Sequence, residues 1–212
     1  MDERALRDAV VAGGARLGAR GLIAAAEGNL SVRLPGDRIL ITPAGRRKDA
    51  LEPGELLVVP LDQPAASDDA GQGGLRPSSD VAIHRAIYQA RPDVEAVVHA
   101  HVPAAMALIL AGETPDPAAL PETALLLPRL PVVPFGVPGS TELAGRIAAA
   151  FLEGDPRPAA VLLELHGAVA VGAAIAEAVD RMELVDVLCR VWRDAAILRA
   201  ARDGRRGADQ ED

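Results

Sequence analysis

Aromatic side chains are nearly absent from this 212-residue chain: two phenylalanines, one tyrosine and one tryptophan, 2% of the total. Any core must therefore be built from Ala, Val, Leu and Ile, and a hydrophobic content of 50% is enough to build a substantial one. Cysteine occurs once, as Cys189, which excludes an intramolecular disulfide framework and fits a reducing, cytoplasmic location. Positive charge is in deficit: 22 Lys and Arg against 30 Asp and Glu leave a formal net charge of -8. That balance argues against nucleic acid as the main partner. The longest apolar stretch, residues 94–111, is broken by His99, His101 and Pro103, so no membrane span is expected. The acidic start Met1-Asp2-Glu3 has no apolar segment behind it and predicts no signal peptide.

The chemistry is concentrated between Pro77 and Gly112, which hold three of the four histidines. Val97-Val98-His99-Ala100-His101 reads as a strand. Alternation puts His99 and His101 on one face, about 7 Å apart by strand rise, close enough for two imidazoles to converge on one divalent ion. Pro103 ends the strand and starts a helix to Ala111. Upstream, Ser78-Ser79-Asp80 opens a helix. Ser and Asp are good N-caps, and the free amides of a first turn favour a carboxylate or a phosphate. His84 shares the Asp80 face one turn later; a ligand pair and a packing or supporting role both fit, and the second is favoured.

In chain order, residues 3–19 keep helical spacing. A hairpin follows, with strands at 29–33 and 38–42 and a turn at Pro35-Gly36-Asp37. The basic triplet Arg46-Arg47-Lys48 reads either as a solvated loop or as an anion site. A strand is expected at 56–61, a long loop at 62–76, a helix at 79–90 and a strand at 94–101. Residues 112–131 suggest one short helix, and 132–135 a short strand. Ser140 or Thr141 caps a helix to about Leu152. Residues 160–167 form a buried strand with His166 at its end, and 168–172 either continue it or return as a hairpin. The last helix is marked by Ile175, Val179, Met182, Val185, Cys189 and Trp192 on one face. A single α/β domain over 1–198 and a charged, disordered tail over 199–212 are expected.

His99 and His101 with His166 make a three-ligand set with an open position, the pattern of a catalytic divalent site. Asp80 is either a fourth ligand or a base. With these residues in view, the chain resembles the class II aldolase/adducin family over residues 4–196. Glu27-Gly28-Asn29-Leu30-Ser31-Val32-Arg33, Ile41-Thr42-Pro43-Ala44-Gly45, Pro77-Ser78-Ser79-Asp80, His99-Ala100-His101 and Leu165-His166-Gly167 resemble five of its motifs in the right order.

The resemblance implies a three-layer α/β/α fold with a mainly antiparallel central sheet. It implies metal at His99, His101 and His166, most often zinc, with manganese and cobalt as alternatives. It implies a phosphate pocket at Gly28, Asn29, Gly45, Ser78 and Ser79, and an acid/base carboxylate at Asp80. The expected function is a metal-dependent aldolase cleaving a small ketose phosphate through an enediolate. An epimerase, dehydratase or decarboxylase on the same scaffold, or a non-catalytic adducin-like domain, are the alternatives. The resemblance also implies a homotetramer with active sites at subunit borders. His99 and His101 end a strand, which predicts the metal near the sheet edge, where a neighbour could complete the pocket. Three departures stand out. Asp80 replaces the Glu usual in the aldolases, Ala44 replaces a phosphate-facing hydroxyl, and the only tyrosine is Tyr88, which leaves the proton donor to the aldehyde unassigned.

Overall fold

A computed structural model describes residues 2–63 and 74–208, with side chains described to residue 203. Helix α1 (Glu3–Ala19) leads into the hairpin β1 (Asn29–Leu34) and β2 (Arg38–Ile41), and then β3 (Leu57–Pro60). Next come α2 (Val81–Ala90), β4 (Ala96–Ala100), α3 (Pro103–Leu110), α4 (Pro121–Leu126) and the two-residue β5 (Val132–Val133). Helix α5 (Thr141–Ala150), the pair β6 (Ala160–Leu163) and β7 (Gly167–Gly172), and the long α6 (Ile175–Ala208) complete the chain. The seven strands form one sheet in the order β3-β2-β1-β4-β7-β6-β5. Every pairing is antiparallel except β5 with β6.

Strand alternation sorts the side chains into two cores. Leu30, Val32, Ala96, Val98, Ala100, Leu162, Ala168 and Ala170 pack under α1, α3 and α6. Ile39, Ile41, Val97, Val161, Leu163, Val169 and Val171 pack under α2 and α5. The result is the expected three-layer arrangement around a mainly antiparallel sheet. The small residues of β4 and β7 let α6 lie close to the sheet, where Ala178, Val179, Met182 and Val185 are fully buried. Few aromatics are needed: Tyr88 and Phe151 are buried, and both face the α2/α5 layer.

Of the two readings of residues 168–172, the hairpin is the one found: Leu165 and Gly167 take positive φ values of 59° and 101° and reverse the chain. Three differences from the sequence reading have local causes. His166 lies in the turn between two strands, not at a strand end. The strand that carries His99 and ends just before His101 is fourth of seven, so the site lies at the end of the central strand, away from the sheet edges. Helix α6 runs to Ala208, through residues expected in a disordered tail. Once a helix is nucleated, extension through a segment rich in Ala and Arg costs little. Residues 64–73 of the expected loop, and 209–212, lie outside the described residues.

Candidate functional site

The β1–β4 register sets Asn29 directly opposite His99, and the β4–β7 register sets Ala168 opposite Ala100. This brings the start of β1, the end of β4 and the β6–β7 turn together. The ring centroids of His99 and His166 are 4.7 Å apart, those of His99 and His101 5.5 Å, and those of His101 and His166 5.4 Å. One nitrogen from each ring lies within 4.8 Å of the others. The approach depends on Gly167: a β-carbon there would sit 2.3 Å from the Ala100 carbonyl oxygen and 2.5 Å from the His101 α-carbon.

Two of the four non-glycine residues with positive φ among the described residues lie beside these histidines. Val102, next to His101, and Leu165, next to His166, both adopt left-handed conformations that cost non-glycine residues about 1–2 kcal/mol each. Val102 is fully buried and its N–H is bonded to the Leu22 carbonyl at 3.3 Å, so packing holds the strained turn.

Hydrogen bonding decides which nitrogens are free. His99 Nδ1 lies 2.9 Å from the Ala168 carbonyl oxygen, which can only accept, so Nδ1 carries the proton and Nε2 is bare. Nε2 is buried without a hydrogen-bond partner, as is Nδ1 of His166. His101 Nδ1 faces the Glu27 carboxylate at 3.4 Å. A histidine ligand is commonly steered by such a partner on its other nitrogen. Burial, opposed by the Asp80 carboxylate, pushes His99 down to about 4. Burial also lowers His166. Both rings are neutral near pH 7, the form that binds metal. Bare, buried, neutral nitrogens aimed at one point suit a divalent ion and would otherwise be a cost.

Asp80 stands beside this cluster, its Oδ2 3.8 Å from His99 Nε2. It occupies the N-cap position of α2, yet its side chain makes no capping bond. Instead Asn29 Nδ2 donates to Oδ2 at 2.9 Å, and Oδ1 is buried without a partner. Burial works against the charge, but the His99 ring, the Asn29 amide and the other nearby imidazoles outweigh it and hold the carboxyl below its usual range. His84 supports Asn29, with Nε2 2.5 Å from Asn29 Oδ1.

The five residues expected at a phosphate lie on three adjoining loops. Gly28 and Asn29 are buried at the start of β1, and a β-carbon on Gly28 would sit 2.9 Å from the His99 carbonyl oxygen. Gly45 is exposed, at a φ of 69°. Its loop runs beside that of Ser78 and Ser79, through the Pro43–Pro77 bridge and a 3.2 Å bond from the Ser78 N–H to the Thr42 carbonyl. Ser78 is buried and its hydroxyl accepts from the Asp80 N–H, whereas Ser79 is exposed.

The basic triplet fits neither a uniformly solvated loop nor a free anion site. Arg46 pairs with Glu55 at 2.8 Å and Arg47 with Asp49 at 2.5 Å, so both charges are answered. Lys48 is only 2% exposed, and its ammonium donates to the carbonyls of Ala26 and Arg46 at 2.6 and 2.8 Å. It ties the loop of Gly28 to the loop of Gly45, and burial pushes it down to about 8. The sequence reading passed over this tether and over Ser31 and Glu27. The motif Glu27 to Arg33 contained two of the three, and the α2 stripe of Asp80, His84 and Tyr88 pointed toward Ser31.

Three converging histidines beside a carboxylate, on a three-layer α/β/α fold, make a donor set that could hold a divalent ion. Residues 8–193 match the family described as Class II Aldolase and Adducin N-terminal domain, and the chain belongs to that family. It is 32% identical over 196 residues to a 3-oxo-tetronate 4-phosphate decarboxylase of Cupriavidus necator, covering 90% of this chain and 84% of the relative. Over 105 residues, 48% of this chain and 45% of the relative, it is 41% identical to a methylthioribulose-1-phosphate dehydratase of Granulibacter bethesdensis. The crystal structure of L-fuculose-1-phosphate aldolase from Thermus thermophilus is similar with a TM-score of 0.79 at 33% identity, covering 92% of this chain and 96% of that one. Among the described residues no helix is long and apolar enough to cross a membrane.

Proposed function

We propose that this protein is a metal-dependent carbon–carbon lyase acting on a small phosphorylated ketose through an enediolate. The observation that carries the reading is Asp80 Oδ1, a partnerless carboxylate oxygen buried beside three inward-facing imidazoles. His99, His101 and His166 would hold the ion, with zinc the first choice and manganese or cobalt as alternatives. When bound, such an ion supplies Lewis-acid stabilisation of negative charge on substrate oxygens. Gly28, Asn29, Gly45, Ser78 and Ser79 would surround the phosphate, using backbone amides and hydroxyls rather than net positive charge. A scaffold domain has no use for bare buried nitrogens of this kind.

Aldol cleavage suits Asp80 because the proton balance closes on one group. Held ionised, Asp80 takes the proton from the substrate hydroxyl as the carbon–carbon bond breaks and the aldehyde departs. It then returns that proton to the enediolate carbon and is a carboxylate again. Tyr88, the only tyrosine, is buried against Ser31 and takes no part in this transfer.

Decarboxylation is the second reading, favoured by similarity over 90% of the chain to an enzyme with that reaction in its name. Loss of carbon dioxide from a 3-oxo-tetronate 4-phosphate leaves the same three-carbon phosphorylated enediolate that aldol cleavage of a ketose 1-phosphate leaves. The two reactions differ only in the departing group, so one pocket serves either. In decarboxylation the proton for carbon comes from water rather than from a substrate hydroxyl.

Incubation of metal-loaded protein with ketose 1-phosphates and with 3-oxo-tetronate 4-phosphate tests this, with dihydroxyacetone phosphate as the common readout. Aldehyde or carbon dioxide in equal amount names the reaction. Water loss without carbon–carbon cleavage, or no turnover across the panel with zinc, manganese and cobalt, would contradict the proposal. The same reading extends to assembly as a homotetramer. Val187, Val191 and Leu198 form an exposed apolar stripe along α6, which supports self-association.

A further inference from the structure

We propose that Tyr88, Ser31, His84 and Asn29 form a hydrogen-bond chain of one fixed direction that orients the Asp80 carboxylate and presents Oδ1 to the substrate. This rests on the proton-transfer role of Asp80; it assigns positioning roles to Tyr88, Ser31 and His84, which lie outside the metal and phosphate sets, and gives the Asn29 side chain a second role beside the phosphate. The members are contiguous: Tyr88 Oη to Ser31 Oγ is 2.8 Å, Ser31 Oγ to His84 Nδ1 is 2.6 Å, His84 Nε2 to Asn29 Oδ1 is 2.5 Å, and Asn29 Nδ2 to Asp80 Oδ2 is 2.9 Å. All are buried, with exposures of 1% for Tyr88, 0% for Ser31 and His84, 2% for Asn29 and 6% for Asp80.

The direction follows from what each atom can do. Asn29 turns its amide nitrogen, which can only donate, to Asp80 and its oxygen, which can only accept, to His84. His84 Nε2 must then donate. Burial keeps this ring neutral, so Nδ1 is bare and accepts the Ser31 proton. Ser31, with its one proton used, accepts from Tyr88. Burial also holds the Tyr88 phenol above its ordinary range, so the proton it donates is always present. Arg33 anchors the far end, lying 4.9 Å over the Tyr88 ring and donating to the Tyr88 carbonyl at 2.8 Å. Reversing one member would set two donors or two acceptors face to face among buried groups, so the chain holds one polarity and Asn29 one orientation.

Two measurements on the full, zinc-loaded chain test this. Nitrogen-15 NMR of the histidine rings should show His84 as the neutral, Nε2-protonated tautomer from pH 6 to 8; an Nδ1-protonated ring or an imidazolium would overturn the proposal. His84→Leu should lower kcat about 30-fold or more with KM within about threefold and one zinc per chain retained, since a misaimed reacting group costs about this much. His84→Gln can both donate to Asn29 and accept from Ser31, and should recover about tenfold of the loss. Tyr88→Phe, at the far end, should cost less than about fivefold. Gln no better than Leu would overturn the proposal. Full turnover of Asp80→Asn would instead overturn the proton role of Asp80, and the NMR result, which needs no turnover, would still decide the chain.

Discussion

Asn29 donates its side-chain amide to one oxygen of Asp80 and leaves the other oxygen buried and unpartnered. A carboxylate half-satisfied in this way is costly to keep unless its free oxygen has work to do. The consequences reach each part of the site.

Asp80→Asn should retain the metal and lose turnover. An amide fills the same space but cannot carry a proton, so kcat should fall by about 10²–10⁴-fold. Metal analysis beside steady-state kinetics checks this. Turnover within a few-fold of the parent would move the proton-transfer role elsewhere, and loss of the ion would make Asp80 chiefly a ligand.

Gly167→Ala should disable the site without touching a ligand. The new methyl would meet the Ala100 carbonyl at 2.3 Å, and the backbone φ of 101° strains any L side chain. Both strands are buried and cannot yield cheaply. A loss of about 3 kcal/mol or more is expected, with weaker metal binding. Denaturant unfolding and metal titration of the variant would show it, and near-parental values in both would be inconsistent with the close approach of the β6–β7 turn to β4.

Acid should destabilise the metal-free protein through His84. Burial lowers this ring from 6.5 to about 3. Below pH 6.5 the unfolded chain takes up a proton that the folded chain refuses until about pH 3, so the unfolded state binds more protons across this window. The stability is fully present above pH 6.5 and is lost as pH falls toward 3, by about 1.4 kcal/mol per pH unit for one group. Urea unfolding from pH 7 to 4.5 should show more than this slope in the parent, because His99 adds its own, and a slope shallower by about this amount in His84→Gln. Equal slopes would place the ring in a less buried setting.

The reach of the sequence is clearest at β4. Two β-branched residues followed by His-Ala-His announced a strand with both rings on one face, and period-two alternation is a backbone property that survives any tertiary setting. The β1–β2 hairpin was legible for the same reason. The β6–β7 turn was not, because Leu165 adopts a left-handed conformation that no local preference of leucine predicts. Lys48 was hidden differently. A lysine between two arginines and an aspartate reads as solvated, and only the packing of α1 against this segment, with Gly14 at the Lys48 carbonyl, takes it out of water. The position of the site at the centre of the sheet was also out of reach, since strand order depends on pairings distant in sequence.

The central claim is that His99, His101 and His166 hold a divalent ion beside Asp80, and elemental analysis of purified, metal-replete protein tests it most directly. One ion per chain is predicted for the parent and almost none for the variant with His99, His101 and His166 all replaced by Ala, with its far-ultraviolet circular dichroism preserved. A full complement of metal in that variant would contradict the account.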